Sequence, residues 1–203
     1  SLHRKSIISH ILKKTKWTQR TFDLVNWEAH GKAFGKLTRA AQFATAKLIH
    51  NLANTNRQNN LYYNTTPDCP CCSLTEETFQ HVLSCTSSYA VRYRAQSLAD
   101  LVTGLTTAQT PPAIIEAIRY GTIQWEKTSP VRVHAPTAGS LYHTDILVTA
   151  AFTEQYYTIG WYQLLLGRIG KKWENAVQAH WKKDKKTVDY NVWSTQVVLL
   201  LWK

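Results

Sequence analysis

Hydrophobic residues recur mostly at intervals of three and four along this chain of 203 residues. Leu37, Ala41, Ala44, Leu48 and Leu52 follow that spacing, which places them on one face of a helix. Segments with the helical period heavily outnumber segments that alternate as a half-buried strand does. The pattern therefore predicts a mainly α fold with at most one short strand or hairpin.

The same spacing predicts the individual helices. The first carries Ile7, Ile8, Ile11 and Leu12 and ends in lysines, whose charge complements the helix dipole. Further helices are predicted over about 21–34, 36–54, 74–103, 112–127, 144–160 and 161–182. Polar residues at 55–68 predict a loop or short turn, and residues 129–142 predict an extended loop or one short strand.

The clearest boundary in the chain runs from Thr106 to Pro112, because two consecutive prolines, Pro111 and Pro112, cannot lie inside a helix. It predicts a helical segment over 1–105 and a second helical segment over 106–203 that packs on the first, together forming one compact unit. The chain contains no Met, and the apolar run 197–202 stands next to its last residue. We therefore expect the sequence to be a piece of a longer polypeptide or assembly.

Positive charge is concentrated in two segments. The net charge is +11, of which residues 1–20 contribute +6 and residues 160–186 contribute +5. Such concentrated charge attracts polyanions and releases their counterions on binding. It predicts nucleic acid as the partner, in preference to a membrane surface, because the lysines at 182–186 are not interleaved with a wide apolar face. Solvated helix faces that only keep the protein soluble are the other interpretation.

Three of the four cysteines are Cys69, Cys71 and Cys72, and the fourth is Cys85. Thiols so close along the chain do not pair easily with one another, so the pattern is wrong for a secreted disulfide framework and typical of a metal site in a reducing compartment. We therefore expect an intracellular protein of the nucleus or cytoplasm. No apolar run reaches the roughly 18 residues that span a bilayer.

The segment 69–85 predicts a structural zinc knuckle embedded in the first helical segment. Cys69 and Cys72 form a C-x2-C pair, whose tight turn points both sulfurs to one side. His81 and Cys85 are four residues apart and would lie on one face of the following helix. Ser73 and Glu76 have the spacing of a capping box at the start of that helix. Three sulfurs and one imidazole make a CCHC set suited to tetrahedral Zn²⁺.

Two alternatives stay open for this segment. Cys71 could replace Cys69 or Cys72 as a ligand, or it could be a spare thiol, although C-x2-C gives the better turn geometry. A buried histidine among ordinary small apolar cysteines would need no metal at all. A catalytic zinc keeps an open coordination position, which four protein ligands do not leave. The sequence therefore predicts a structural ion and no enzyme.

The knuckle also resembles a known family. Cys69-Pro70-x-Cys72, the pair Glu77-Thr78, His81 and Cys85 are similar to the zinc-binding region that follows the reverse transcriptase domain in non-LTR retrotransposon proteins. Weaker likenesses lie at 27–30, 47–55, Arg92 or Arg94, 159–168 and Trp173. The resemblance implies a non-catalytic C-terminal piece of such a protein, a region associated with holding template RNA or target DNA near the polymerase. No Tyr-x-Asp-Asp polymerase signature occurs in the chain.

The predicted function is binding of RNA or single-stranded DNA. Two tryptophans next to the charged segments are candidates for stacking on unpaired bases, although each also suits a core position. The predicted nucleic-acid contacts are Lys13, Lys14, Lys16, Trp17, Arg168, Lys171, Lys172, Trp181, Lys182, Lys183, Lys185 and Lys186. A structural or protein-interaction zinc module that touches no nucleic acid is the alternative. A zinc hydrolase using His30, His50 or Glu77 is a third hypothesis.

Overall fold

The computed structural model describes residues 2–128, 145–184 and 189–203. The segment 129–142, predicted as a loop or short strand, and the predicted contacts Lys185 and Lys186 lie outside these ranges. The helices are α1 (Leu2–Thr15), α2 (Gln19–Leu24), α3 (Trp27–Lys36), α4 (Arg39–Ile49), α5 (Asn56–Tyr63), α6 (Phe79–Ser84), α7 (Ser88–Thr107), α8 (Pro112–Thr128), α9 (Ile146–Thr153), a π-helix (Glu154–Gly160), α10 (Trp161–Leu165), α11 (Lys172–Lys183) and α12 (Tyr190–Leu201).

The mainly α fold is confirmed. In the described ranges the β structure consists of two isolated antiparallel bridges, between Val25 and Gly170 and between Asp68 and Glu76. No helix in this part of the chain is both long and apolar enough to cross a membrane.

The hydrophobic core is built around tryptophans. Trp161, Trp173 and Trp193 are almost completely buried. The last helix, α12, packs against α3 and α7, and α9 packs against α11. The core cluster includes Ala33 and Leu105 together with residues from α8 to α12, so it draws on both sides of residue 105. The division of the chain at that position stays a prediction.

Two of the helices predicted as continuous are interrupted, and backbone hydrogen bonds join the two interruptions. The predicted helix 21–34 breaks at Val25 and Asn26, and the predicted helix 161–182 breaks between α10 and α11. Asn26 N donates to the Ile169 carbonyl over 2.8 Å, and Lys171 N donates to the Leu24 carbonyl over 2.9 Å. The two breaks therefore pair with each other, which satisfies backbone groups that a continuous helix would have bonded internally.

The π-helix after α9 carries a buried glutamine that holds this junction. The Gln155 side chain is fully buried, and its Nε2 donates to the carbonyls of Gly160 and Arg168 over 3.3 Å each. Its Oε1 accepts from Gly170 N over 2.9 Å. One side chain thus fixes the segment that carries Arg168.

Candidate metal centre

The C-x2-C turn is formed by a short hairpin. Asp68 bridges Glu76, and Cys69 N donates to the Thr75 carbonyl over 2.8 Å. Within the turn, Ser73 N donates to the Cys69 carbonyl over 2.8 Å, and Ser73 adopts a positive φ of 54°. This compact turn leaves the sulfurs of Cys69 and Cys72 on the same side.

The predicted start of the following helix is wrong. The helix α6 begins at Phe79, where the Thr78 side chain accepts from His81 N over 3.0 Å, and it ends before Cys85. The predicted capping box at Ser73 and Glu76 does not form, because Ser73 lies in the left-handed region of the turn. Glu76 instead pairs with Arg57. The predicted helix 74–103 is therefore two helices, with α7 starting anew after a Ser87 cap.

The four predicted ligands nevertheless converge. The nearest ligand atoms of Cys69, Cys72, His81 and Cys85 all lie within 4.8 Å of one another. Cys69 Sγ and Cys85 Sγ are 3.9 Å apart, and Cys72 Sγ is 3.3 Å from His81 Nε2. In a tetrahedron with metal–sulfur bonds of the length seen for zinc, adjacent ligands are separated by about 3.8 Å. The cluster therefore has the dimensions of a metal site.

Cys71 stands outside this cluster. Its side chain is exposed, whereas Cys69 and Cys85 are buried and Cys72 is half-buried. Among the alternatives for Cys71, the arrangement favours the spare thiol.

The imidazole of His81 has a partner that the sequence did not indicate. His81 Nδ1 lies 3.0 Å from Thr75 Oγ1, within hydrogen-bonding distance. With Nε2 turned to the sulfurs, an Nδ1–H donating to the hydroxyl would fix the ring orientation and tautomer, as outer partners of metal-binding histidines commonly do. Thr75 sits inside the knuckle, but neither its type nor its spacing marks it as a partner of His81.

The surroundings of the two buried thiols shift their pKa values. Burial raises the pKa of Cys69 to about 11. Burial also acts to raise the pKa of Cys85, but hydrogen bonds from Ser87 and the neighbouring thiols outweigh it, so this pKa is lowered. Several sulfurs crowded in a buried space cannot all carry negative charge without a cation. A divalent ion bound by these side chains would supply the compensating positive charge and favour the deprotonated thiols.

Contacts on two sides attach the knuckle to the rest of the protein. Phe79 on α6 lies 6.1 Å, centre to centre, from the ring of Tyr162, and Tyr162 stacks at 6.1 Å on Trp125. On the other side, Glu77 Oε2 accepts from Asn56 N at the start of α5 over 2.6 Å. The helix α5, which Thr55 caps by accepting from Gln58 N over 3.3 Å, lies where the sequence predicted a loop or short turn.

The predicted nucleic-acid contacts fall into several environments. Lys14 Nζ donates to the His50 carbonyl over 2.6 Å, and the buried Arg168 guanidinium lies 5.8 Å from the centre of the half-buried Trp17 ring. Lys171 Nζ donates to the Asp23 carbonyl over 2.6 Å, and Lys172 Nζ pairs with Glu154 over 2.9 Å. The lysines with exposed side chains and no such contact here are Lys13, Lys16, Lys182 and Lys183.

Trp181 is a core residue. Its side chain is 2% exposed, and its Nε1 donates to the Gln109 carbonyl over 3.3 Å. A ring so buried offers no face to a base, so the structure contradicts the stacking role predicted for Trp181. The helical stripe that contains Trp173 and Val177 carries Trp181 into the core with it.

The chain was compared with protein-family models, with curated proteins and with solved structures, and none of the three comparisons gives a match.

Proposed function

We propose that this chain is a non-catalytic, zinc-stabilised module that binds RNA or single-stranded DNA. The Cys3His cluster supports a structural ion, because four protein ligands leave no open position for chemistry. Its sulfur-rich set and tetrahedral size favour Zn²⁺ over the hard cations Mg²⁺ and Ca²⁺, which take oxygen ligands. The resemblance to the zinc-binding region of retrotransposon proteins agrees with this function.

The observation that carries the nucleic-acid part is the meeting of the two basic segments. Lys14 and Trp17 come from the first, Arg168 comes from the second, and together they form one cluster. Within the described residues no acidic side chain makes an ion pair with Lys14 or Arg168. The buried guanidinium of Arg168 donates to the neutral side chain of Gln163, and a buried charge without an anion nearby is costly. A phosphate bound by the exposed Lys14 would place an anion next to it.

The titration behaviour of the cluster agrees with this reading. Burial lowers the pKa of Arg168 to about 10. Burial and the charge of Arg168 lower the pKa of Lys14, and burial together with Lys14 and Arg168 lowers the pKa of His50. Burial disfavours the charged form of all three groups, and the positive charge of Arg168 adds to this effect for Lys14 and His50. A bound phosphate would reverse the sign of that local potential.

The test is binding of a labelled single strand, followed by fluorescence anisotropy across a salt series. Lys14→Gln should weaken binding and reduce the slope of log affinity against log salt by about 0.7, which is one phosphate contact on a single strand. Lys36→Gln is the matched control, because Lys36 is an exposed lysine at the end of α3 that is not among the predicted nucleic-acid contacts. A flat response to salt, or no binding, would favour the protein-interaction module instead.

A further inference from the structure

A cavity of about 440 Å³ lies beside the cluster of the four proposed metal ligands. Its walls come from α6, α7, α8, α10 and α12 and are mostly apolar, with Val82, Leu83, Leu98, Leu101 and Leu200 among them. Cys69 and Cys85 border it as well, so its shape depends on the ligand cluster. Its size falls in the range of sites that hold a small molecule or one nucleotide.

Several aromatic side chains line this cavity. Tyr89 and Tyr93 line it from α7, one helical turn apart, and their side chains are 64% and 67% exposed. Trp125 lines it from α8. Exposed rings next to an apolar pocket give an unpaired base a surface on which to stack.

The cavity also contains one charged pair, formed by Arg94 of α7 and Glu126 of α8. Arg94 Nε is 3.5 Å from Glu126 Oε1, which is too long for a good hydrogen bond. Both Arg94 Nε and Nη1 are buried without a hydrogen-bond partner. Burial raises the pKa of Glu126, although the Arg94 charge opposes this shift. Native proteins seldom leave buried polar groups unsatisfied, and a ligand that bonds to this pair is one way to satisfy them.

We propose that this cavity binds a single unpaired guanine of the bound strand. The Watson–Crick edge of guanine presents the O6 acceptor next to two adjacent donors, N1–H and N2–H. A carboxylate accepts two such parallel bonds, and a guanidinium donates to the acceptor beside them. The other bases lack two adjacent donors on that edge, so they would leave one Glu126 oxygen without a partner. This inference rests on the proposed binding of single strands.

The experiment uses the full chain with its metal and two labelled strands, each a run of thymidines that differ only at one central position, guanine in one and adenine in the other. We expect the guanine strand to bind about tenfold more tightly, as one bidentate base contact gives. Glu126→Gln should abolish that preference, so that the two strands bind with equal affinity, and an unchanged circular dichroism spectrum shows that the variant is folded. Glu28→Gln, on the exposed side of α3, is the matched control and should retain the preference.

A second pair of variants tests stacking. Tyr93→Ala should weaken binding of the guanine strand at least fivefold, as loss of one base–aromatic contact does. Tyr63→Ala removes an equally exposed ring on α5, outside the cavity lining, and should leave that affinity unchanged. Equal affinity of the wild-type protein for the two strands would overturn the guanine pocket but not the proposed function. Failure to bind either strand would overturn both.

Discussion

The stretch around the metal cluster and the tryptophan-rich core are stabilised in different ways. Within residues 55–87, all of which the structure describes, the buried apolar side chains are Cys69 and Cys85. The core buries Trp161, Trp173 and Trp193 almost completely. Each such ring removes about 150–250 Å² from water. The tryptophan-rich core thus has an apolar interior of its own, whereas the stretch 55–87 buries little besides two of its proposed metal ligands.

This difference supports the proposed stabilisation of the stretch 55–87 by a metal. A stretch of this size cannot bury enough apolar surface to offset the loss of chain entropy. Structural zinc contributes an apparent 10–16 kcal/mol, about as much as the stability of a whole domain. A metal bound by the four proposed ligands would therefore take the place of a hydrophobic core for α5, the hairpin and α6. Stability of the two regions should respond separately to removal of the metal and to damage of the core.

The largest effect is expected from loss of the metal. Chelation, His81→Ala or Cys85→Ser should unfold about 65–87, because little apolar burial remains to hold that stretch, while the tryptophan core stays folded. Hydrogen exchange measures the two regions in one experiment. Amide protection should vanish in the knuckle and persist in α11 and α12.

Cys71→Ser is the matched control for that experiment, since this cysteine is exposed and lies outside the cluster. It should leave metal content and exchange unchanged. Equal damage from Cys71→Ser would mean that the ligand set is wrong. Loss of protection throughout the chain after chelation would mean that the core depends on the metal too.

Overpacking the core should destabilise the protein less and leave the four proposed metal ligands in place. Gly121 in α8 faces the ring of Trp161, and a methyl group added there would overlap the indole. Gly121→Ala should therefore lower the free energy of unfolding by about 1–3 kcal/mol. Denaturant unfolding followed by tryptophan fluorescence gives this value, and metal content should not change.

Gly31→Ala is the control for that substitution. Gly31 lies in α3 with open space around the added methyl group, so the change should raise stability by about 0.5–1 kcal/mol through helix propensity alone. A small gain in stability from Gly121→Ala, like that expected from Gly31→Ala, would show that α8 and α10 are less tightly packed than the structure indicates.

The convergence of the four proposed ligands could be predicted because their signal is local. All four lie within 17 residues, and the C-x2-C and His-x3-Cys spacings bring them together whatever the exact helix start. The turn itself could not be predicted, because partners distant in the sequence decide it. Glu76 pairs with Arg57 and Glu77 bonds to Asn56, and neither contact leaves a pattern in the sequence.

The helical period likewise predicted that the chain is helical but missed where the helices break. The bonds of Asn26 to Ile169 and of Lys171 to Leu24 join residues more than 140 positions apart. The period also could not separate Trp17, half-buried beneath Arg168, from Trp181, which is buried in the core. Both tryptophans stand beside lysines in the sequence, and only tertiary packing distinguishes them.

The smallest expected effect is a pH dependence of the core centred on His30. Burial lowers the pKa of this histidine below its usual 6.5, the nearby Arg168 charge adds to the shift, and a hydrogen bond to the Gly167 carbonyl opposes it. The unfolded chain therefore binds more protons than the folded chain at pH values just below 6.5, so stability falls as the pH falls through that range. Urea midpoints measured at pH 7.5 and 5.5 should show a smaller drop for His30→Gln than for the unmodified protein. Both proteins have the same four proposed metal ligands, so any acid release of a metal affects both equally and cancels in the comparison. Identical decreases in the urea midpoint would show that His30 does not couple the stability of the core to pH.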